Sequence, residues 1–234
     1  GSSEEKPKEL AEHDLYFQRD QIVEIEALIL DYFKELTNDR PVNGLVLVGG
    51  HSTRMKTDKA SLEYHGMSQA ARSASLLEKY CDQVFLSCRE DQELPEDCQQ
   101  YSQIPDSFLN MGPAGGILSA FKQESDSTWL VMGCDLPFVE EASLDTLTEG
   151  RNAMKTATAF ISTNDGFPEP LLALYEPKAR SAFFQTFASG FFCPRKMLIN
   201  KPTALLEQDK AWLENINTPE EFQEAQKEIS DKKA

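Results

Sequence analysis

No apolar run in this chain approaches the roughly 20 residues that a helix needs to cross a bilayer, so no segment reads as a membrane anchor. The opening residues lack the charged-then-apolar pattern of a signal peptide. Histidine is scarce: His13, His51 and His65 are scattered, without the spacing that a zinc site needs. The five cysteines, Cys81, Cys88, Cys98, Cys134 and Cys193, are odd in number and form no C-x-x-C pair. Such thiols suit a reduced, cytoplasmic enzyme better than a disulfide scaffold. Positive charge is short as well, with 23 Lys and Arg against 39 Asp and Glu and a formal net charge of -16. A nucleic-acid binder needs a basic face for phosphate backbones, and this balance argues against one.

What is present is an ordinary globular composition, 40% apolar and 26% charged. The 234 residues leave room for one well-buried α/β domain and an appendage. Gly1, Ser2 and Ser3 read as a tag scar, and residues 4–13 as a charged, fraying segment. Within 14–36, Ile22, Ile25, Ile29, Phe33 and Leu36 recur at spacings of three and four, a single helical stripe. Asn38 and Pro41 stop it. Residues 1–42 are therefore set apart as scar plus helical extension. Three readings of that helix stand: a partner for the main domain, a dimer contact, or the remnant of a longer protein.

Residues 43–234 read as the main domain. Strands are expected at 45–48, 83–87, 128–133, 157–162 and 171–175, and helices at 69–80, 112–121, 140–147, 177–187 and 218–228. This alternation predicts an α/β fold: an open, mostly parallel, Rossmann-like sheet with helices on both faces. Ligands then sit at the carboxyl ends of the strands, which makes those ends the places to look for chemistry.

The first strand runs straight into Gly49 and Gly50, where the backbone can turn sharply and approach a ligand with no Cβ in the way. Arg54, Lys56 and Lys59 follow, three cations within six residues of an acidic chain. That concentration calls for an anion, and a phosphate chain fits best. The loop is neither the G-x-G-x-x-G of dinucleotide folds nor the G-x-x-x-x-G-K-[ST] of P-loops. Strand 128–133 leads into Cys134 and Asp135. A carboxylate leaving a buried strand needs a partner. Mg²⁺, which needs only one or two protein carboxylates beside phosphates, is one; the amides of the next helix are another. Asp106 follows Ile104 and Pro105, with Gly112 and Pro113 opening the helix beyond it.

In order and spacing, Leu47, Gly49, Gly50, Ser52, Arg54, Met55, Asp58 and Lys59 resemble the signature loop of the MobA-like nucleotidyltransferases. Lys56 stands where that family usually has glycine, and Val48 where it usually has alanine. Asp135 with Pro137 resembles the family's metal-binding turn, and Asp106 with Gly112 and Pro113 its second nucleotide element. The stretch 167–175 resembles its substrate-side strand, and Asn215, Asn217, Thr218, Pro219, Glu220 and Glu221 its ending. Thr218 and Glu221 also make a capping box, which is a sufficient structural reason for both. The likeness spans about residues 43–226.

The resemblance implies a nucleotidyltransferase fold and transfer of GMP from GTP to the phosphate of molybdopterin, with Mg²⁺ as cofactor and pyrophosphate as leaving group. It assigns the triphosphate to Leu47, Val48, Gly49, Gly50 and His51, the departing pyrophosphate to Arg54, charge on the α-phosphate to Lys59, and the metal to Asp135. Ser87, Asp106 and Gly112 would complete the nucleotide site. Arg195 and Lys196, with Lys201, form a second basic cluster that is either the acceptor's phosphate site or a solvated face. Asn215 and Asn217 either touch metal or acceptor or do neither. Ser87 stands where many guanylyltransferases of the family carry asparagine, which leaves the base open. The alternatives are a relative that uses CTP or a sugar phosphate, and a nucleotide-binding module without catalysis. An ionised acceptor phosphate needs no general base, and no Ser-His or His-Asp constellation is evident.

Overall fold

The structure, a computed structural model, describes residues 21–38, 40–48, 59–163, 165–208, 211–216 and 218–231; of residues 30, 33–38, 59 and 211 it describes the backbone alone. The chain divides into two compact units, 1–39 and 40–234. The described part of the first is helix α1 (Ile22–Asn38). Its start at Ile22 falls within the expected stretch, and the residues of that stretch before 21 lie outside the description. Ile22, Val23, Ile29 and Tyr32 are exposed along it.

The second unit is built on a seven-stranded sheet. In chain order its elements are β1 (Val42–Leu47), α2 (Gln69–Leu77), β2 (Gln83–Cys88), β3 (Ser102–Pro105), α3 (Pro113–Gln123), β4 (Thr128–Gly133), α4 (Glu141–Glu149), β5 (Ala157–Ile161), β6 (Pro168–Tyr175), α5 (Ala179–Ala188), α6 (Pro194–Asn200), β7 (Thr203–Leu206) and α7 (Pro219–Asp231). The spatial order is β3-β2-β1-β4-β6-β5-β7. Every neighbouring pair is parallel except those of β6, which runs against both β4 and β5.

Alternation along the central strands explains the layering. Leu45, Trp129, Val131, Ala173 and Tyr175 face the core formed with α3, α5 and α6, through Ile117, Phe121, Phe183, Met197 and Leu198. Val46, Leu130, Met132, Leu172 and Leu174 face the opposite core, with Leu77 of α2 and Leu144 and Leu147 of α4. Strands buried on both faces read as continuous apolar runs, which is why they stood out in the sequence. Full burial of one such side chain stabilises the fold by about 1.5–3 kcal/mol.

Three elements were not anticipated: β3, α6 and β7. β3 and β7 are edge strands of four residues. Only Ile104 is buried in β3 and no residue is fully buried in β7, so neither carries a two-period signal. The seven residues of α6 put Met197 and Leu198 into the core, but Arg195 and Lys196 disguised it as a charge cluster. Among the described residues no helix is long and apolar enough to cross a membrane.

Candidate active site

The sheet register lines up the strand ends. Leu47 pairs with Ser87 on one side and with Gly133 on the other, and Ser87 pairs in turn with Ile104. The residues just beyond, Val48, Asp106 and Asp135, therefore emerge along one rim of the sheet. Further backbone bonds tie that rim together: Val48 N donates to Ser87 O (3.0 Å), Asp106 N to Cys88 O (2.9 Å) and Cys134 N to Leu47 O (3.3 Å). Gln92 Nε2 also donates to the Val48 carbonyl at 3.1 Å. Because β6 is antiparallel, its first residues, Pro168 to Leu171, come to the same rim.

An open cleft of about 550 Å³ lies there, and Gly112, Asp135, Glu169, Arg195 and Asn215 are among its walls. Four candidates scattered between positions 112 and 215 of the sequence thus share one opening. Phe192, Pro170 and Leu171 supply apolar surface to it, the usual make-up of a ligand cleft with few polar groups. Gly112 sits at φ 55°, ψ -144°, a conformation essentially confined to glycine. Pro113 follows it as the first residue of α3, as expected. One turn on, Gly116 packs so closely that a Cβ would lie 2.3 Å from Ser87 Oγ and 2.8 Å from Leu47 Cδ2. The helix can meet the strand ends only because no side chain is there.

Asp135 is half-buried at the cleft wall. It does not cap the next helix: α4 begins at Glu141 and its N-cap is Glu140, in a capping box with Ser143. The helix-capping reading of Asp135 is therefore set aside. The Thr218 and Glu221 capping box does form, Thr218 N donating to Glu221 Oε2 (3.0 Å) and Glu221 N to Thr218 Oγ1 (3.2 Å). Among the described residues no group of three His, Cys, Asp or Glu side chains converges as a metal cage. The half-buried Asp135 carboxylate in an open cleft, with Glu169 beside it engaged by Arg195, is nevertheless a donor set that suits a hard cation which keeps waters and takes phosphate oxygens.

Ser87 Oγ donates to Asp106 Oδ1 at 3.0 Å. Burial pushes the Asp106 carboxyl above its ordinary range, against the lowering effects of Ser87 and Arg89. An acid with a raised folded-state pKa adds stability below its ordinary range and loses it as pH climbs to the raised value. Asp106→Asn cannot ionise and still accepts the Ser87 bond. The variant should therefore gain stability relative to wild type between acidic and neutral pH, as read by denaturant unfolding at both. A difference that stays constant with pH would show that the carboxyl titrates as in an unfolded chain.

The second basic cluster does not hold together. Arg195 lines the cleft, Lys196 Nζ lies 5.9 Å from the centroid of the Phe191 ring, and Lys201 Nζ donates to Gln185 Oε1. Neighbours i and i+1 on a helix point apart, so Arg195 and Lys196 cannot both face one ligand easily. Arg195 is itself bridged by two carboxylates, Nη1 to Asp165 Oδ2 (2.8 Å) and Nη2 to Glu169 Oε2 (3.0 Å). Glu169 is nearly fully buried, and burial raises its carboxyl pKa against Leu171 N–H and Arg195, with Asp135 adding to the rise. Sequence reasoning missed Glu169 and Asp165. Glu169 had a signal, a carboxylate between two prolines at the start of a buried strand, whereas Asp165 had none.

Gly49, Gly50, His51, Arg54 and Asn217 lie outside the described residues, as does the side chain of Lys59, whose backbone begins a short 3₁₀ turn (Lys59–Ser61).

A mostly parallel sheet of this order, with glycine-lined strand ends and an aspartate at the rim of an open cleft, defines a nucleotidyltransferase-type α/β protein. Residues 44–190 match the MobA-like NTP transferase domain. The chain is 34% identical over 183 residues to the molybdenum cofactor biosynthesis bifunctional protein of Synechocystis, an alignment covering 78% of this chain and 53% of that protein. It thus spans about half the length of that relative. To the probable molybdenum cofactor guanylyltransferase of Opitutus terrae it is 30% identical, over 79% of this chain and 94% of the other. Among solved structures, the molybdopterin-guanine dinucleotide biosynthesis protein A of Archaeoglobus fulgidus matches with a TM-score of 0.65 at 25% identity, covering 81% of this chain and 99% of that one. The CTP complex of CMP:2-keto-3-deoxy-manno-octonic acid synthetase matches with a TM-score of 0.64 at 11% identity, covering 82% and 99%, a likeness of fold alone. The chain belongs to the MobA-like NTP transferase family.

Proposed function

We propose that the protein transfers GMP from GTP to the terminal phosphate of molybdopterin, releasing pyrophosphate. The observation that carries this reading is the single cleft that joins Gly112, Asp135, Arg195 and Asn215 at the rim where Leu47 and Ser87 end. The names of the relatives support the choice of nucleotide and acceptor.

In the reaction, an oxygen of the acceptor's phosphate forms a bond to the α-phosphorus of GTP while the bond from that phosphorus to the bridging oxygen breaks. The acceptor arrives already ionised, so no proton has to be removed, and catalysis rests on alignment and charge neutralisation. The Leu47 to His51 backbone would hold the triphosphate, Arg54 the leaving pyrophosphate and Lys59 the α-phosphate. Asp135 would hold Mg²⁺, which when bound would supply positive charge to offset the negative charge on the phosphate oxygens. Ser87 and Asp106 would hold the nucleoside, and Asn215 and Asn217 would lie on the acceptor side with Arg195. Pinned between Asp165 and Glu169, Arg195 fixes the cleft wall more than it supplies free positive charge. Lys196 has no place in this arrangement. Residues 43–234 act as the transferase domain and residues 1–42 as an appendage, and the protein works in the cytoplasm.

Pyrophosphate release, measured with Mg²⁺ and each of GTP, CTP, ATP and UTP, with and without molybdopterin, tests the proposal. Release that needs GTP and molybdopterin together is the expected result. Release with another nucleotide, consistent with Ser87 in place of asparagine, would overturn the base. Nucleotide binding without release would overturn catalysis.

A further inference from the structure

The backbone after β4 is held by a row of donors. Ile216 N donates to Asp135 O (3.0 Å), Gln69 Nε2 to Leu136 O (3.3 Å), His65 Nε2 to Pro137 O (3.3 Å) and Arg72 Nη2 to Val139 O (2.8 Å). A carbonyl only accepts, so the His65 ring nitrogen in that contact carries the proton. Four of the five carbonyls from Asp135 to Val139 are thus engaged, three of them by side chains from the first turn of α2 and the turn before it. Gln69 and Arg72 are three apart and share a helix face.

The first turns of α2 are a costly place for long polar side chains, because the helix is buried on more than one face. Ala70, Ala71, Ala74 and Leu77 of the same helix are core residues, and Gln69 is fully buried. Among the described residues, the buried atoms Gln69 Oε1, Arg72 Nη1 and Ser73 Oγ have no hydrogen-bond partner. Burial also pulls the Arg72 guanidinium pKa down to about 10, against the pull of Glu140. Apolar side chains of similar length would pack there without leaving polar atoms unmet. What Gln69 and Arg72 provide that apolar residues cannot is the donor each aims at the loop. On the other side of Asp135, a Cβ at Gly133 would lie 2.7 Å from Asp135 Oδ1. The carboxylate therefore lies back over a bare Cα, with the chain fixed both before and after it.

We propose that His65, Gln69 and Arg72 are positioning residues that set the direction of the Asp135 carboxylate, so that it meets a divalent cation already aligned. The proposal rests on the reading of Asp135 as the metal-holding group. Partners that orient a metal ligand change metal affinity or activity by about 10- to 100-fold when removed, although they never touch the ion.

The test is Mn²⁺ binding to the whole chain with GTP and no acceptor, followed by electron paramagnetic resonance. Gln69→Met and Arg72→Met keep length but cannot donate, and Arg72→Lys keeps a donor. Both methionine variants should weaken Mn²⁺ binding by about 10-fold or more, Arg72→Lys should recover most of it, and GTP binding in EDTA should be unchanged. Should Arg72→Met not fold, His65→Phe provides the same comparison. Wild-type Mn²⁺ affinity in folded methionine variants, or a parallel fall in metal-free GTP binding, would overturn the proposal. Asp135→Ala in the same series separates the two ideas. If it binds Mn²⁺ like wild type, the metal assignment fails and the positioning role with it. If it alone loses the ion, the metal assignment stands and the positioning role fails.

Discussion

Asp135→Ala is expected to lower pyrophosphate release by about 10²- to 10³-fold, the usual loss when a group that stabilises transition-state charge is removed, while the protein stays folded. Folding should survive because the carboxylate is half-buried at a cleft and α4 is capped by Glu140 instead. The Asp135 carbonyl keeps its bond from Ile216 N whatever the side chain. A truncation of this kind away from the core should change stability by no more than about 1 kcal/mol. Steady-state rates at saturating GTP, read beside a thermal melt, check both halves of the expectation. The loss should lie in kcat more than in KM if, as proposed, backbone amides hold the triphosphate independently of the metal ligand. Wild-type turnover in a folded variant would remove Asp135 from the chemistry. An unfolded variant would show that its carboxylate is structural after all.

Asp135 also shows what kind of information the sequence carried. It was legible because it follows Trp129 to Gly133, a strand buried throughout, where a charge has to be explained. Gly112 was legible from the proline after it, and the Thr218 and Glu221 cap from spacing alone. These are local signals. Asp165, Gln69 and Arg72 were not legible, and Glu169 was passed over despite the prolines on either side of it, because their partners lie far along the chain: Arg195 is 30 and 26 residues from its two carboxylates, and Gln69 and Arg72 each act on a carbonyl 67 residues away. Only the sheet order brings these pairs together. The same limit applied to the fold. Strands buried on both faces were found within a few residues, while the edge strands β3 and β7, which bury little, and the short helix α6 were missed. The reversal of β6 was not foreseen either, and it is what carries Glu169 to the rim beside Asp135.

The largest expected effect on stability lies at the opposite rim of the sheet, where β4 begins and β6 ends. Glu176 directly follows β6, and its side chain is fully buried against Arg151, whose side chain is 17% exposed. Arg151 Nε donates to Glu176 Oε1 (2.7 Å) and Nη2 to Oε2 (3.0 Å), and Thr128 Oγ1 donates to Oε2 (2.8 Å). Glu176→Ala takes the carboxylate away from both the guanidinium and the threonine hydroxyl, leaving Arg151 Nη2 only its bond to Thr128 Oγ1 (2.8 Å). Breaking a buried pair from one side costs about 3–5 kcal/mol, a fall in melting temperature on the order of 10 °C for a domain of this size. Glu176→Leu with Arg151→Met removes both charges together and should recover much of that loss, because no ion is left uncompensated. Activity per folded molecule should not change in either variant, since Thr128 opens β4 and the cleft lies where β4 ends. A double variant as unstable as the sum of its single changes would show that the two charges do not depend on each other, and that the destabilisation comes from packing alone.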